Sequence, residues 1–229
     1  MKMTSIQTPA EKYMVQRLVS LLRSKDDESD ALQILNAGAG QSVSIEEQLT
    51  AAGCRYVCDR VDVEDCSVRF HGVRDCWRCS INDMRPADSG RYSAVFANYV
   101  LEHVEKLREA SQEVWRVLAP GGLLIATVPN SAAPEYAVAK HTPLWFHRLI
   151  RGGSGWETKY AYHSISELLD LFREAGFRVE DEKYWPFFEQ YLWNVPVVGP
   201  LSRLYDRTIS ACGCRRWMGD VCLVLKKPF

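Results

Sequence analysis

Apolar residues recur at helical spacing from the start of the chain: Tyr13, Met14, Leu18, Leu21 and Leu22 share one face. Thr8-Pro9-Ala10-Glu11 precedes them as a capping box, with proline at the first helical position and a glutamate able to return the bond. The polar stretch Lys25 to Asp30 reads as a solvated connection, and Leu32 to Ala37 as a short apolar strand. Gly38-Ala39-Gly40 follows at once, and Ser44-Ile45-Glu46-Glu47 is another capping box, opening a second helix that Gly53 closes. Further strands are expected at Arg55 to Cys58, ending at Asp59, then at Trp77 to Ile81 and Ser93 to Asn98. Leu101 to Leu118 has the period of one long amphipathic helix, stopped by Pro120-Gly121-Gly122, before an apolar strand from Leu123 to Val128. This alternation argues for a parallel sheet with helices on its faces, an α/β fold.

Beyond Pro129 the pattern loosens. Residues 130 to 163 are rich in aromatics and histidines, including His141, Trp145, His147, Trp156 and Tyr160. Ser164 to Ala175 is a capped helix ending at Gly176, and Phe177 to Tyr184 is a strand. A second aromatic segment runs from Trp185 to Trp217, and Asp220 to Lys226 forms a last strand. The reading is one domain over residues 1–229. Residues 1–30 form an N-terminal helix and linker and 31–130 the core; 131–163 and 185–217 are cap insertions.

Composition narrows the possibilities. A chain of 229 residues, 47% hydrophobic and 25% charged, can bury a core of its own. A formal net charge of −1 gives no general attraction to nucleic acid. No apolar run is long enough to span a membrane, and Thr8, Pro9, Glu11 and Lys12 break any signal-peptide pattern, so a cytoplasmic protein is expected. Eight cysteines include Cys76 and Cys79, a C-x-x-C preceded by Cys66 and His71. With Cys79 on an expected strand, Cys76 and Cys79 would face apart, and no second ligand pair stands at a familiar spacing. Packed thiols are expected rather than a metal site.

The turn Gly38-Ala39-Gly40 lies after the first strand, where backbone can approach a ligand closely. Asp59, about twenty residues on, suits two ribose hydroxyls in the manner of dinucleotide sites, and Asp62 is an alternative because strand ends are uncertain by a few residues. These features alone would also serve a nicotinamide cofactor.

The run from Tyr92 to Val104, containing Leu101-Glu102-His103, precedes Arg116-Val117-Leu118-Ala119-Pro120-Gly121-Gly122 and then Val128-Pro129-Asn130. In that order and spacing they resemble the class I S-adenosylmethionine-dependent methyltransferases, the branch acting on small molecules and lipids. Glu167 to Val179 is similar to a later segment of that family. The resemblance implies a Rossmann-like, mostly parallel seven-stranded sheet with an antiparallel last strand, helices on both faces and aromatic-rich caps. It also implies S-adenosylmethionine as cofactor. Gly38, Ala39 and Gly40 would line its methionine part, with Asn36 standing where the family usually has an acid. Asp59 would hold the ribose, Ser80 and Ile81 would contact adenine, and Asn98 and Tyr99 would border the transferred methyl. Ser42, Ser80 and Ser93 are further departures from the family pattern, which leaves open a protein that binds the cofactor without turnover.

Methyl transfer asks a protein to orient the acceptor, exclude water and, for a protonated nucleophile, supply a base. His103, His141 and Tyr160 are the candidates, with His147, His163 and Glu157 behind them. The aromatic insertions suit a small-molecule or lipid-like acceptor. Trp145 to Arg151 mixes apolar and basic residues as a membrane-surface helix does, so peripheral membrane contact is also an expectation.

Overall fold

The computed structural model describes residues 7–24, 31–134, 161–189 and 198–229. Helix α1 (Pro9–Ser24) leads into β1 (Leu32–Ala37), α2 (Ser44–Ala51), β2 (Tyr56–Asp62), β3 (Val73–Arg78) and β4 (Tyr92–Asn98). A 3-10 turn (Leu101–His103), α3 (Leu107–Val117), β5 (Leu118–Pro129), α4 (Ile165–Glu174), β6 (Arg178–Trp185), α5 (Val198–Cys212) and β7 (Asp220–Lys226) follow. The seven strands lie in the order β3-β2-β1-β4-β5-β7-β6. The pairs from β3 through β5 are parallel, and β7 runs antiparallel to both β5 and β6. This is the sheet that the resemblance implied.

Alternation along the strands splits the core in two. Leu35, Ala37, Val95, Ala97, Leu124 and Ala126 face α3 and α4, whereas Ile34, Cys58, Phe96, Ile125 and Val224 face α1 and α2. Each large side chain so buried contributes roughly 1.5–3 kcal/mol. The first helix has the reciprocal cap its sequence promised: Thr8 N donates to Glu11 (2.7 Å) and Glu11 N to Thr8 Oγ1 (3.1 Å). At the far end of α2, Gly53 N donates to Thr50 O and Cys54 N to Leu49 O, the paired bonds that end a helix through a left-handed glycine.

Five local expectations need correction. Strand β2 runs on to Asp62 instead of ending at Asp59, and β3 ends at Arg78, before Ser80. The start of α2 is not a capping box: Ser44 lies inside the helix, Val43 stands at the cap, and Glu46 turns into the protein. The expected helix from Leu101 is broken after His103, and α3 begins at Leu107. Pro120-Gly121-Gly122 does not precede β5 but lies within it, where the pairing with β4 shifts between Tyr92–Leu118 and Ala94–Leu123. The irregularity absorbs the proline, as a bulge does. No helix among the described residues is long and apolar enough to cross a membrane.

Candidate active site

In a sheet of this order the crevice lies at the carboxyl ends of β1 and β4, where the chain leaves in opposite directions. The glycine turn stands there, and its two glycines do different jobs. A Cβ on Gly38 would run into the Val100 side chain, so this glycine exists for packing. Around Gly40, also at positive φ (52°), a Cβ would meet nothing within 4 Å. The turn is tied to β2 by its amides: Gly38 N and Ala39 N both donate to Val61 O (2.8 and 3.1 Å), and Gly40 N donates to Asp62 Oδ2 (2.8 Å). Its carbonyls are tied to Arg60, a fully buried guanidinium that donates to Ala39 O (3.0 Å), Gly40 O (3.1 Å) and Ser42 O (2.8 Å). Glu46 on α2 pairs with Arg60 at 2.5 Å and also accepts from Asn36 Nδ2 (2.9 Å).

The acidic residue expected at the ribose is displaced. Asp59 sits inside β2 beside Leu35, fully buried, with Arg74 and the Tyr92 hydroxyl (2.7 Å) on its carboxylate. Burial and that carboxylate push the Tyr92 hydroxyl well above its usual range. Asp59 is therefore a structural acid, and the strand end belongs to Asp62, the alternative. Asp62 accepts from Gly40 N on one oxygen and from Glu64 N (2.9 Å) on the other. Two carboxylate oxygens offer about four lone-pair positions, so Asp62 can accept further donors.

Ser80 and Ile81 lie in the turn after β3. Ser80 Oγ accepts from Asn82 N (3.2 Å), and Ile81 is buried in the α3-side core. Asn82 Oδ1 is buried with no hydrogen-bond partner among the described residues, a polar atom the sequence reading passed over. Cys79 N donates to Asp62 O (2.9 Å), which places this turn against the β2 end. Arg116 holds the loop beyond it through Met84 O and Ala87 O (2.9 Å each), itself fixed by Glu113.

Asn98 and Tyr99 end β4 at the crevice, but other elements claim their polar atoms. Asn98 donates to Glu11 Oε1 (2.8 Å) and accepts from Thr127 Oγ1 (2.6 Å). Tyr99, at a positive φ of 53°, shares a hydrogen bond with Thr8 Oγ1 (2.8 Å) and donates to Asp220. Asp220 also accepts from Ala10 N (2.9 Å), so the start of α1 is fastened over the ends of β4 and β7. Burial raises the Asp220 carboxyl to about 6, against the opposing pull of its hydrogen bonds. Glu11, Thr127 and Asp220 were not singled out from sequence; Glu11 was legible only as a cap.

Of the base candidates, His103 closes the 3-10 turn beside Glu102, with its Nε2 4.0 Å from Glu102 Oε1. His141 and Tyr160 lie outside the described residues, as do His147, Glu157 and the segment Trp145 to Arg151. His163 is exposed and bound to Glu167 at the start of α4. Cys76 lies in β3 and Cys79 just beyond it. Burial pushes the Cys66 thiol up to about 11, and its Sγ points to Trp77 O (3.7 Å). Among the described residues no three His, Cys, Asp or Glu side chains gather as metal ligands would.

Comparison with known proteins places this geometry. The profile of the methyltransferase domain matches residues 57–182, more than half of the chain. The chain belongs to the methyltransferase-domain family. A ubiquinone/menaquinone biosynthesis C-methyltransferase, UbiE, from Desulfotalea psychrophila (strain LSv54 / DSM 12343) is 33% identical to it over 131 residues. That match spans 50% of this chain and 51% of the relative, so the chain spans about half the relative's length. Among solved structures, geranyl diphosphate C-methyltransferase from Streptomyces coelicolor A3(2) superposes with a TM-score of 0.56 at 16% identity, covering 93% of this chain and 79% of that one. An S-adenosylmethionine-dependent methyltransferase from Mesorhizobium loti gives 0.58 at 14% identity, covering 90% and 96%. The [4+2]-cyclase SpnF gives 0.56 at 19% identity, covering 93% and 81%. These likenesses establish the methyltransferase fold; SpnF's name adds that the fold also serves a cyclase.

Proposed function

We propose that this methyltransferase-domain protein binds S-adenosylmethionine in the crevice at Gly40 and Asp62 and transfers its methyl group to a small-molecule or lipid-like acceptor. The observation that carries the cofactor reading is the use of the turn's backbone. A dinucleotide's pyrophosphate needs free turn amides and the start of a helix. Here the amides of Gly38, Ala39 and Gly40 are spent on Val61 and Asp62, and the first turn of α2 carries Glu47. That arrangement disfavours a nicotinamide dinucleotide and suits a donor whose reacting centre is a cation.

The residues fit the group. Gly40 leaves room beside the turn, Asp62 has lone pairs for ribose hydroxyls, and buried Asn82 Oδ1 lacks the donor that an adenine amino group would supply. S-adenosylmethionine, when bound, supplies a methyl already activated on a sulfonium. The chain's part is to hold the acceptor in line and keep water out. The start of α1, fastened by Asp220, Asn98 and Tyr99, screens the crevice on one side. The aromatic insertions, 131–163 and 185–217, are assigned to the acceptor side.

Calorimetry with S-adenosylhomocysteine and with NAD tests the reading. The former should bind and the latter should not; Asp62→Ala should weaken binding at least tenfold with little change in melting temperature. Asp59→Asn should do the reverse. NAD binding, or loss of affinity through Asp59 alone, would refute the site. Label from radioactive S-adenosylmethionine should then pass to a low-molecular-weight product of a cell extract. Label confined to protein or RNA would exclude the acceptor class, and firm binding without any transfer would favour a regulatory protein.

A further inference from the structure

Beneath the glycine turn lies a charged unit that the proposed reaction does not touch. Arg60 and Glu46 are fully buried, with Asn36 beside them, and the three come from β2, α2 and β1. One guanidinium holds three carbonyls of the turn and the residues after it, Ala39 O, Gly40 O and Ser42 O, and Glu46 holds the guanidinium. Asn36 then braces Glu46 from the strand that enters the turn.

A buried ion pair is a poor way to gain stability, because desolvating both charges costs about as much as their attraction returns. This one is also incompletely satisfied: Arg60 Nε and Glu46 Oε2 are buried without hydrogen-bond partners among the described residues. Apolar side chains in the same volume would hold β2 against α2 at least as well. What they could not do is fix the direction of three backbone carbonyls. With its carbonyls drawn under and its amides bound to β2, the turn keeps one shape, and Gly40 presents its bare edge to the crevice.

We propose that Asn36, Glu46 and Arg60 are positioning residues that set the shape of the cofactor turn, and that their charge balance governs affinity for the methyl donor. This rests on the cofactor reading above but goes beyond it, since none of the three touches the crevice through its own side chain. With Arg60 in place, it makes the net charge of the three matter more than which residue carries the carboxylate. Moving the carboxylate from position 46 to position 36 preserves neutrality. Asn36 Nδ2 and Arg60 meet the same oxygen, Glu46 Oε1, so an amide at 46 must turn to donate to a carboxylate at 36 and present its oxygen to Arg60.

The test is a set of variants read by calorimetry with S-adenosylhomocysteine, by melting temperature and by donor kinetics. Glu46→Gln and Asn36→Asp, each unbalanced by one charge, should each weaken binding at least tenfold. The pair N36D/E46Q should return to within about threefold of the parent, a coupling that only interacting sites give. The neutral pair R60M/E46Q should keep its melting temperature within a few degrees, lose at least tenfold in affinity, and raise KM for the donor with kcat little changed. Unaltered binding by R60M/E46Q overturns the inference, as does affinity falling only in step with melting temperature. Should R60M/E46Q not fold, the charge-relocation cycle decides alone, and no recovery in N36D/E46Q overturns it. A parent protein that fails to bind S-adenosylhomocysteine at all would instead overturn the cofactor reading and this inference with it.

Discussion

Two glycine-bearing segments stand at opposite edges of the sheet, and their surroundings are opposites too. At the carboxyl edge, the turn Gly38-Ala39-Gly40 leaves space beside Gly40 and is shaped from below by a polar unit. At the other edge, Pro120-Gly121-Gly122 is packed closely at Gly122, which is buried. A Cβ on Gly122 would meet Ala119 O at 2.9 Å and Tyr92 O at 3.0 Å, and one on Gly121 would meet the Phe229 ring at 2.7 Å. Gly121 N and Gly122 O are bonded to Lys227, whose ammonium in turn caps Trp115 O and Leu118 O (2.7 Å each). The segment that most clearly marks the family in the sequence is thus a joint of the scaffold. The segment at the crevice is where the chain departs from the family, as at Asn36. A fold can hold its joint constant while rebuilding the underside of its binding turn.

Substitutions should separate the two edges. The largest expected effect is on stability at the joint: Gly122→Ala forces a methyl against backbone and should cost about 2–3 kcal/mol. For a chain of this size that lowers the melting temperature by roughly 5–10 °C, with S-adenosylhomocysteine affinity unchanged in the protein that remains folded. Scanning calorimetry that finds Gly122→Ala harmless would remove the distinction. Gly40→Ala should be milder in stability, about 1 kcal/mol for a left-handed alanine. It should nevertheless weaken the cofactor product at least tenfold, because its methyl projects into the crevice. Equal losses of stability and affinity in isothermal titration would mean that Gly40 is another joint.

A third separation is a pH slope. The Asp220 carboxyl rises to about 6 in the folded protein from an ordinary value of 3.8, so the native state holds a proton that the unfolded chain has released. Its contribution to stability is full below about 3.8 and is lost as pH climbs through about 6. Asp220→Asn removes that dependence. The stability of the variant relative to the parent should therefore rise between pH 4 and 6 and level off above. A flat difference in urea titrations across that range would place the proton elsewhere.

What could be read in advance follows from how far apart partners lie in sequence. The cap of α1 is legible because Thr8 and Glu11 are three residues apart, and β1 and β4 because apolar residues dominate each short run and no charge breaks it. The end of β2 is not. Asp59 and Arg60 interrupt its apolar run as a turn would, and the groups that make them affordable inside a strand come from elsewhere: Arg74 and Tyr92 for Asp59, Glu46 for Arg60. Proline and glycine likewise suggested the outside of a strand at 120–122, where only the register against β4 reveals a bulge. Asn98 ends β4 and Tyr99 follows it, but their polar atoms are bound to α1, β5 and β7. That α1 and β7 engage them needed contacts spanning 87 and 121 residues.

The bond from Ala10 N to Asp220 crosses 210 residues of chain. On a ribosome, α1 is made long before the strand that fastens its start; β1, β4 and β5 can cover its apolar face earlier, but the clasp at Ala10 must wait for β7. A nascent chain stopped short of residue 220 has its glycine turn but no clasp above it. Capacity to hold a ligand should then appear abruptly, with the emergence of the last strand, rather than grow with length.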